Sequence, residues 1–222
     1  MILAIDTASA TTGLALWADG LVAEVAWRSD RRQTAELLPR LDALLKQAGA
    51  TLDQLSGLVV VVGPGSFNGI RVGLTTAQAF ALARDLPLVG VTLFEAMAWP
   101  YLAIGPVGAV LPAGRDHALA IVAAEGTGIA TVLAPTIVPA ERTSELLVGS
   151  AVVVSGVAGV EAAEASLVSG VAATPRPAVV AEIGERRLRA GPSEPVEPLY
   201  LRAPQITPPR PRPPAGRPEG AR

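Results

Sequence analysis

The chain contains no cysteine, and among its 222 residues only one histidine, His117. Without cysteine there is no disulfide frame, thiolate nucleophile or thiolate metal site. With one histidine a His-x-x-x-His metal pair cannot be built. A Ser-His-Asp triad would depend on His117, and no serine sits in a G-x-S-x-G elbow. His117 follows Arg115 and Asp116 and reads as a solvated residue of an inter-strand turn. Aromatic residues are scarce, at 4%, so packing must rest on aliphatic side chains. Neither sign of charge dominates: the formal net charge is −2, which exerts no global pull toward nucleic acid or membrane. Long hydrophobic runs are also missing. The longest uncharged stretch, Ala96 to Gly114, is divided by Pro100, Pro106 and Pro112 and reads as a short buried helix followed by a strand. The N-terminal apolar run stops at Asp6, too soon for a signal peptide. The expectation is a soluble, cytoplasmic protein without membrane contact.

What the chain does have is a hydrophobic fraction of 50%, enough for a substantial core in one domain or two small ones. ILAID reads as a buried strand. GLALWA and LVAEVAW flank Asp19-Gly20, a hairpin signal. The polar RSDRRQ then leads into a helix, TAELLPRLDALLKQAG, with Leu38, Leu41 and Leu45 at helical spacing and Gly49 as its stop. Pro39 falls near the first turns of this helix, where proline is best tolerated. LVVVV is a strand, and LPLVGV and LFEAMAWPY give a strand and a short helix. The second half repeats the order. VGAVLPA, HALAIVAAEG and GIATVLAP read as strands, PAERTSELLV as a helix and AVVVSG as a strand. GVEAAEASLVSG and PAVVAEIGERRLRAG read as helices. A three-stranded meander feeding helix-strand units, twice over, indicates two similar α/β lobes. The boundaries read are 1–102 for the first lobe, 103–202 for a smaller second lobe and 203–222 for a disordered Pro/Arg-rich tail. Four arginines against one glutamate make residues 205–222 net +3, leaving −5 for the rest.

The densest signal is VVVVGPGSFNGIRVGLTTAQAFALA, Val59 to Ala83. Gly63 and Gly65 permit a tight turn, and Ser66 suits the N-cap of a following helix. Such a helix start can favour an anion. The spacing fits neither a dinucleotide fingerprint nor a P-loop, so a strand-to-helix connection with nothing bound is the preferred reading. Gly69, Gly73, Ala77 and Ala81 recur every four residues and make a ridge without bulky side chains, while Phe67, Ile70 and Leu74 form a neighbouring apolar face. Glycine inside a helix costs about 0.5–1 kcal/mol relative to alanine, so the ridge needs a packing reason. Close approach of another helix supplies one, either the Leu38/Leu41/Leu45 helix of the same chain or a helix of a second chain.

These residues carry a resemblance. GPGSFNGIRVGLTTAQAFALA, with ILAIDTAS at the N-terminus, RRQTAELLPRLDALL in the first helix and EPLYLR at Glu197 to Arg202, is similar to the TsaB (YeaZ) family. The similarity runs from Met1 to about Arg202. It implies an actin-, Hsp70- and sugar-kinase-like (ASKHA) fold of two ribonuclease-H-like lobes, each a mixed sheet with flanking helices. It also implies a non-catalytic part in forming N6-threonylcarbamoyladenosine at position 37 of ANN-reading tRNAs. Implied partners are a TsaD-like catalytic subunit, a TsaE-like ATPase, a second copy in a homodimer, and tRNA through the complex. The family's dimer contact maps here onto Leu38, Leu41, Leu45, Gly69, Ile70, Gly73, Leu74, Ala77 and Ala81. On that basis Gly73→Leu should block pairing without unfolding the lobe.

The chain departs from the family pattern at three places. It has Asn68 where threonine is usual, no histidine in the approach to the first helix, and Leu111-Pro112-Ala113-Gly114 where many members carry Asp-Ala-Arg. No catalytic or metal set is expected, and no cofactor is required. A degenerate cleft with Asp6, Thr7, Ser9 and Gly156 could hold ADP or ATP weakly at a lobe or subunit interface. The rival reading is an actin-like or sugar-kinase-like ATPase acting alone, with Asp6 at its first strand-turn; its second carboxylate would fall near Pro112, which cannot ligate. A third reading gives the arginines of the tail to RNA phosphates, without aromatic stacking partners to support it.

Overall fold

The structure is a computed structural model that describes residues 1–9, 11–29, 32–161, 165–169, 174–191 and 195–202. The expected tail, 203–222, lies outside the described residues. Two five-stranded sheets share one topology. The first has the order β3-β2-β1-β4-β5, built from β1 (Ile2–Asp6), β2 (Thr11–Trp17), β3 (Leu21–Arg28), β4 (Gly57–Gly63) and β5 (Leu88–Thr92). β1, β2 and β3 form the antiparallel meander, and β4 and β5 add in parallel beside β1. The second has the order β10-β9-β6-β7-β8, from β6 (Val107–Ala113), β7 (Asp116–Glu125), β8 (Gly128–Pro139), β9 (Val152–Ser155) and β10 (Ser166–Ser169). Again three strands run antiparallel and two add in parallel. The doubled α/β architecture read from the repeated meander is therefore present.

Alternation sorts the first sheet's side chains to two faces. Leu3, Ile5, Leu58 and Val60 face α1 (Gln33–Gln47) and α2 (Phe67–Arg84), which add Leu37, Leu41, Leu44, Leu45, Leu74 and Ala77. Each such leucine contributes about 1.5–3 kcal/mol on burial. Pro39 lies on the exposed side of α1, where water can serve the carbonyl its missing N–H leaves open. Ala4, Val59 and Val61 face the other way, toward α5 (Pro177–Ala190) and α3 (Leu93–Ala98), in a core continuous with Val107, Ala109, Ala120 and Val154 of the second sheet. The far side of the second sheet packs Val110, Leu119 and Val153 beneath Leu147, just past α4 (Thr143–Leu146).

Three readings are corrected. Ser166–Ser169, expected in a helix, is strand β10 beside β9; pairing with an exposed sheet edge overrides helix propensity there. Helix α5, expected in the second lobe, lies on the first sheet: Arg176 pairs with Glu24 of β3, and Gly184 abuts Val59 of β4. Only a tertiary contact could move it, since its amphipathic pattern fits either sheet. His117 is the second residue of β7, opposite Pro112, and its Nδ1 lies 2.8 Å from Thr143 Oγ1. It is half-buried and tied to α4, because the turn closes one residue earlier.

Candidate functional site

The strand-turn-helix of the Val59–Ala83 stretch forms as read. Gly63 has φ +115, a value glycine tolerates, and Ser66 Oγ accepts from the Gly69 N–H at 3.2 Å. The glycines, however, do not face another helix. A methyl group on Gly65 would stand 2.2 Å from Ala8 O, on Gly69 2.0 Å from Thr7 O, and on Gly73 2.3 Å from Thr7 Oγ1. Gly69 and Gly73 make room for Thr7 against α2, and Gly65 before the helix makes room for Ala8. Thr7 Oγ1 donates to Gly69 O at 2.7 Å, and the Ser66 N–H donates to Ala8 O at 2.8 Å, so the two segments are stitched together.

The expected interface set divides accordingly. Leu41, Leu45, Gly69, Ile70, Gly73, Leu74 and Ala77 are buried in the chain's own core, and Ala81 is half-buried. The seven buried residues offer a second chain little surface, and a leucine at Gly73 would strike Thr7 of its own chain. Leu38 remains outward, at 52% exposure, and Leu82 of α2, which the spacing argument passed over, is outward at 88%. The every-fourth-residue pattern that singled out Gly69 to Ala81 marks the inward side, and Leu82 falls off it. At the start of α1, Glu36 accepts from Ser29 Oγ and Trp27 Nε1, both at 2.9 Å. The serine hydroxyl, the indole and nearby Arg32 and Arg40 hold its carboxyl below the usual range.

Between the lobes lies a cavity of about 850 Å³. Ser9, Ser66 and Phe67 line it from the first lobe, Leu111, Pro112 and Gly156 from the second. Ser9 and Gly156 of the expected nucleotide set thus face one space, while Asp6 and Thr7 stand behind it. The Asp6 carboxylate is 4% exposed and already occupied: Ala8 N–H donates to Oδ1 at 2.9 Å, and Ser9 Oγ lies 3.0 Å from Oδ2. Burial pushes its pKa up, against these hydrogen bonds. Across the cavity, β6 ends in Leu111-Pro112-Ala113, which has no side-chain acceptor. Among the described residues no cluster of His, Cys, Asp and Glu could hold a metal. These residues do not fit a magnesium-bound nucleotide. Sequence reasoning missed a further wall, Leu199 to Arg202, which lines the same cavity. EPLYLR had marked the family without revealing where it packs.

The comparisons agree with this architecture. The family model described as TsaD, tRNA N6-adenosine threonylcarbamoyltransferase, matches residues 18–158, more than half of the chain. A tRNA threonylcarbamoyladenosine biosynthesis protein TsaB from Escherichia coli (strain K12) is 40% identical over 97 residues, 44% of this chain and 42% of that protein. Its counterpart in Bacillus subtilis (strain 168) is 36% identical over 98 residues, 44% of this chain and 43% of that protein. A tRNA N6-adenosine threonylcarbamoyltransferase of Geobacter sulfurreducens is 35% identical over 129 residues, 53% of this chain and 34% of that protein. The matched segment thus spans less than half the length of these curated relatives. The solved structure of YeaZ from Pseudomonas aeruginosa superposes with a TM-score of 0.75 at 21% identity, over 90% of this chain and 99% of that one, which establishes a shared fold. No described helix is long and apolar enough to cross a membrane.

Proposed function

The chain belongs to the threonylcarbamoyltransferase family that the TsaD model describes, as a TsaB (YeaZ)-like member, and from that premise we propose that it is a non-catalytic subunit of the system that forms threonylcarbamoyladenosine in tRNA. It would act in the cytoplasm by docking a TsaD-like catalytic subunit through α1 and α2, or a second copy when that subunit is absent. A TsaE-like ATPase and the tRNA would join the complex. The observation that carries this reading is the outer side of α1 and α2. Leu38 and Leu82 project into solvent there at 52% and 88% exposure, on two helices whose inner sides are fully packed. The inventory of groups supports the accessory role: Asp6 is buried and already hydrogen-bonded, and the end of β6, Leu111-Pro112-Ala113, carries no carboxylate.

Leu38→Asp and Leu82→Asp test the reading. Both side chains are exposed, so melting temperatures should stay within about 2 °C of the parent, as surface changes rarely exceed 0.5 kcal/mol. Affinity for the TsaD-like subunit should fall about tenfold or more, the range of an interface anchor. Undiminished co-purification of both variants would overturn the assignment. The rival, an independent ATPase with its nucleotide between the lobes, predicts steady ATP turnover by the isolated chain, abolished by Asp6→Ala. Our reading expects no turnover above background.

A further inference from the structure

We propose that residues 195–202 are a latch that fastens the two lobes to each other along one wall of the cavity between them. The segment begins on the first lobe. Val196 lies against Gly90 of β5 and Val62 of β4. The Leu199 N–H donates to Val62 O at 2.8 Å, extending the chain onto the end of β4, and Leu199 O lies over Gly63. Tyr200 stacks on Phe67 at the start of α2, with ring centroids 4.8 Å apart. Leu201 packs against the core shared by both sheets. Arg202 then reaches the second lobe, where its guanidinium pairs with Asp116 of β7 beside the turn at Gly114.

Each contact uses a different physical interaction, and they follow one another along the segment from lobe to lobe. The hydrogen bond to Val62 needs the backbone of the strap, the ring stack needs Tyr200, and the ion pair needs Arg202. The anchoring points are the ends of β4 and β6–β7, one on each lobe and both beside residues that line the cavity. The lobes are also joined by the continuous core beneath α3 and by Arg186, which donates to Thr127 O at 3.4 Å. Tyr200 at 38% exposure and Arg202 at the rim are reachable from solvent, so the fastening can be undone without opening the core.

The test is hydrogen exchange on the full chain and three variants: Tyr200→Ala, Arg202→Glu, and Arg202→Glu combined with Asp116→Arg, which restores the pair with reversed signs. In the first two, amides of the facing walls, residues 65–70 and 107–118, should lose protection together, while β1 and α1 keep theirs. The double variant should recover that protection relative to Arg202→Glu. Three results overturn the proposal: faster exchange confined to residues 195–202, loss spread evenly through β1 and α1, or a double variant that recovers nothing. The experiment needs no partner subunit, so its failure would leave the docking reading standing, and the reverse.

Discussion

Asp6 is the residue whose role changes most between sequence and structure. Placed at the first strand-turn, it looks like a phosphate or cation group. Folded, its carboxylate closes an Asx-type turn onto Ala8 and Ser9. Ser9 Oγ also lies 2.6 Å from Thr11 O, and one hydroxyl proton cannot serve both Thr11 O and the Asp6 carboxylate. Burial raises the Asp6 pKa, and the hydrogen bonds from Ala8 and Ser9 work against that rise. The sign of the linkage follows. A carboxyl with a folded pKa above its unfolded value adds stability below the unfolded pKa, and that contribution is lost as pH rises through the folded pKa. Asp6→Asn, whose amide can donate to Ser9 as a neutral acid would, should be more stable than the parent at pH 7. The gap should close as pH falls toward the ordinary carboxyl value of 3.8. Urea unfolding at several pH values measures it; a variant less stable at pH 7 would contradict an upward shift of the Asp6 pKa on folding.

The elements were legible where periodicity was strong and turn chemistry explicit. Asp19-Gly20, the Ser66 cap and the leucines of α1 placed β2–β3, α2 and α1 close to where they lie. The helix glycines were read correctly as a demand for close approach but assigned the wrong neighbour, because spacing along a helix does not say what lies across from it. Thr7 and Ala8 are sixty residues earlier in the chain. The consequence is testable: Gly69→Ala should destabilise by about 1–3 kcal/mol through overpacking on the Thr7 carbonyl, more than the roughly 1 kcal/mol that alanine gains as a helix former. Gly184→Val should do the same, since Val59 of β4 stands where the new side chain would go. Each kcal/mol would appear as roughly 2–4 °C in thermal melts of a chain this size. An unchanged or higher Tm for both would refute the close-approach explanation of these glycines.

For the whole molecule, charge and topology carry separate messages. The net +3 of residues 205–222 against −5 elsewhere concentrates basic charge in one terminal segment, the arrangement an RNA-binding tail would have. Four arginines without aromatic partners make a weak footprint, and the accessory-subunit reading routes tRNA through the complex instead. A chain ending at Ala203 should therefore keep its affinity for the TsaD-like subunit and support modification in the reconstituted system. Loss of tRNA association on that truncation, with pairing intact, would move tRNA recognition into the tail.

Composition and pattern alone determined that this chain has no thiol or paired-histidine chemistry and that it builds two meander-plus-helix lobes. Those conclusions depend on which residues exist and on local periods of two and 3.6, which are properties of the linear chain. Only the tertiary structure decided that the ridge of α2 meets the Thr7 turn, that α5 crosses back to the first sheet, and that Leu199 to Arg202 wall the cavity. Each of these joins residues far apart in sequence, and packing selects among partners that the local pattern leaves equivalent.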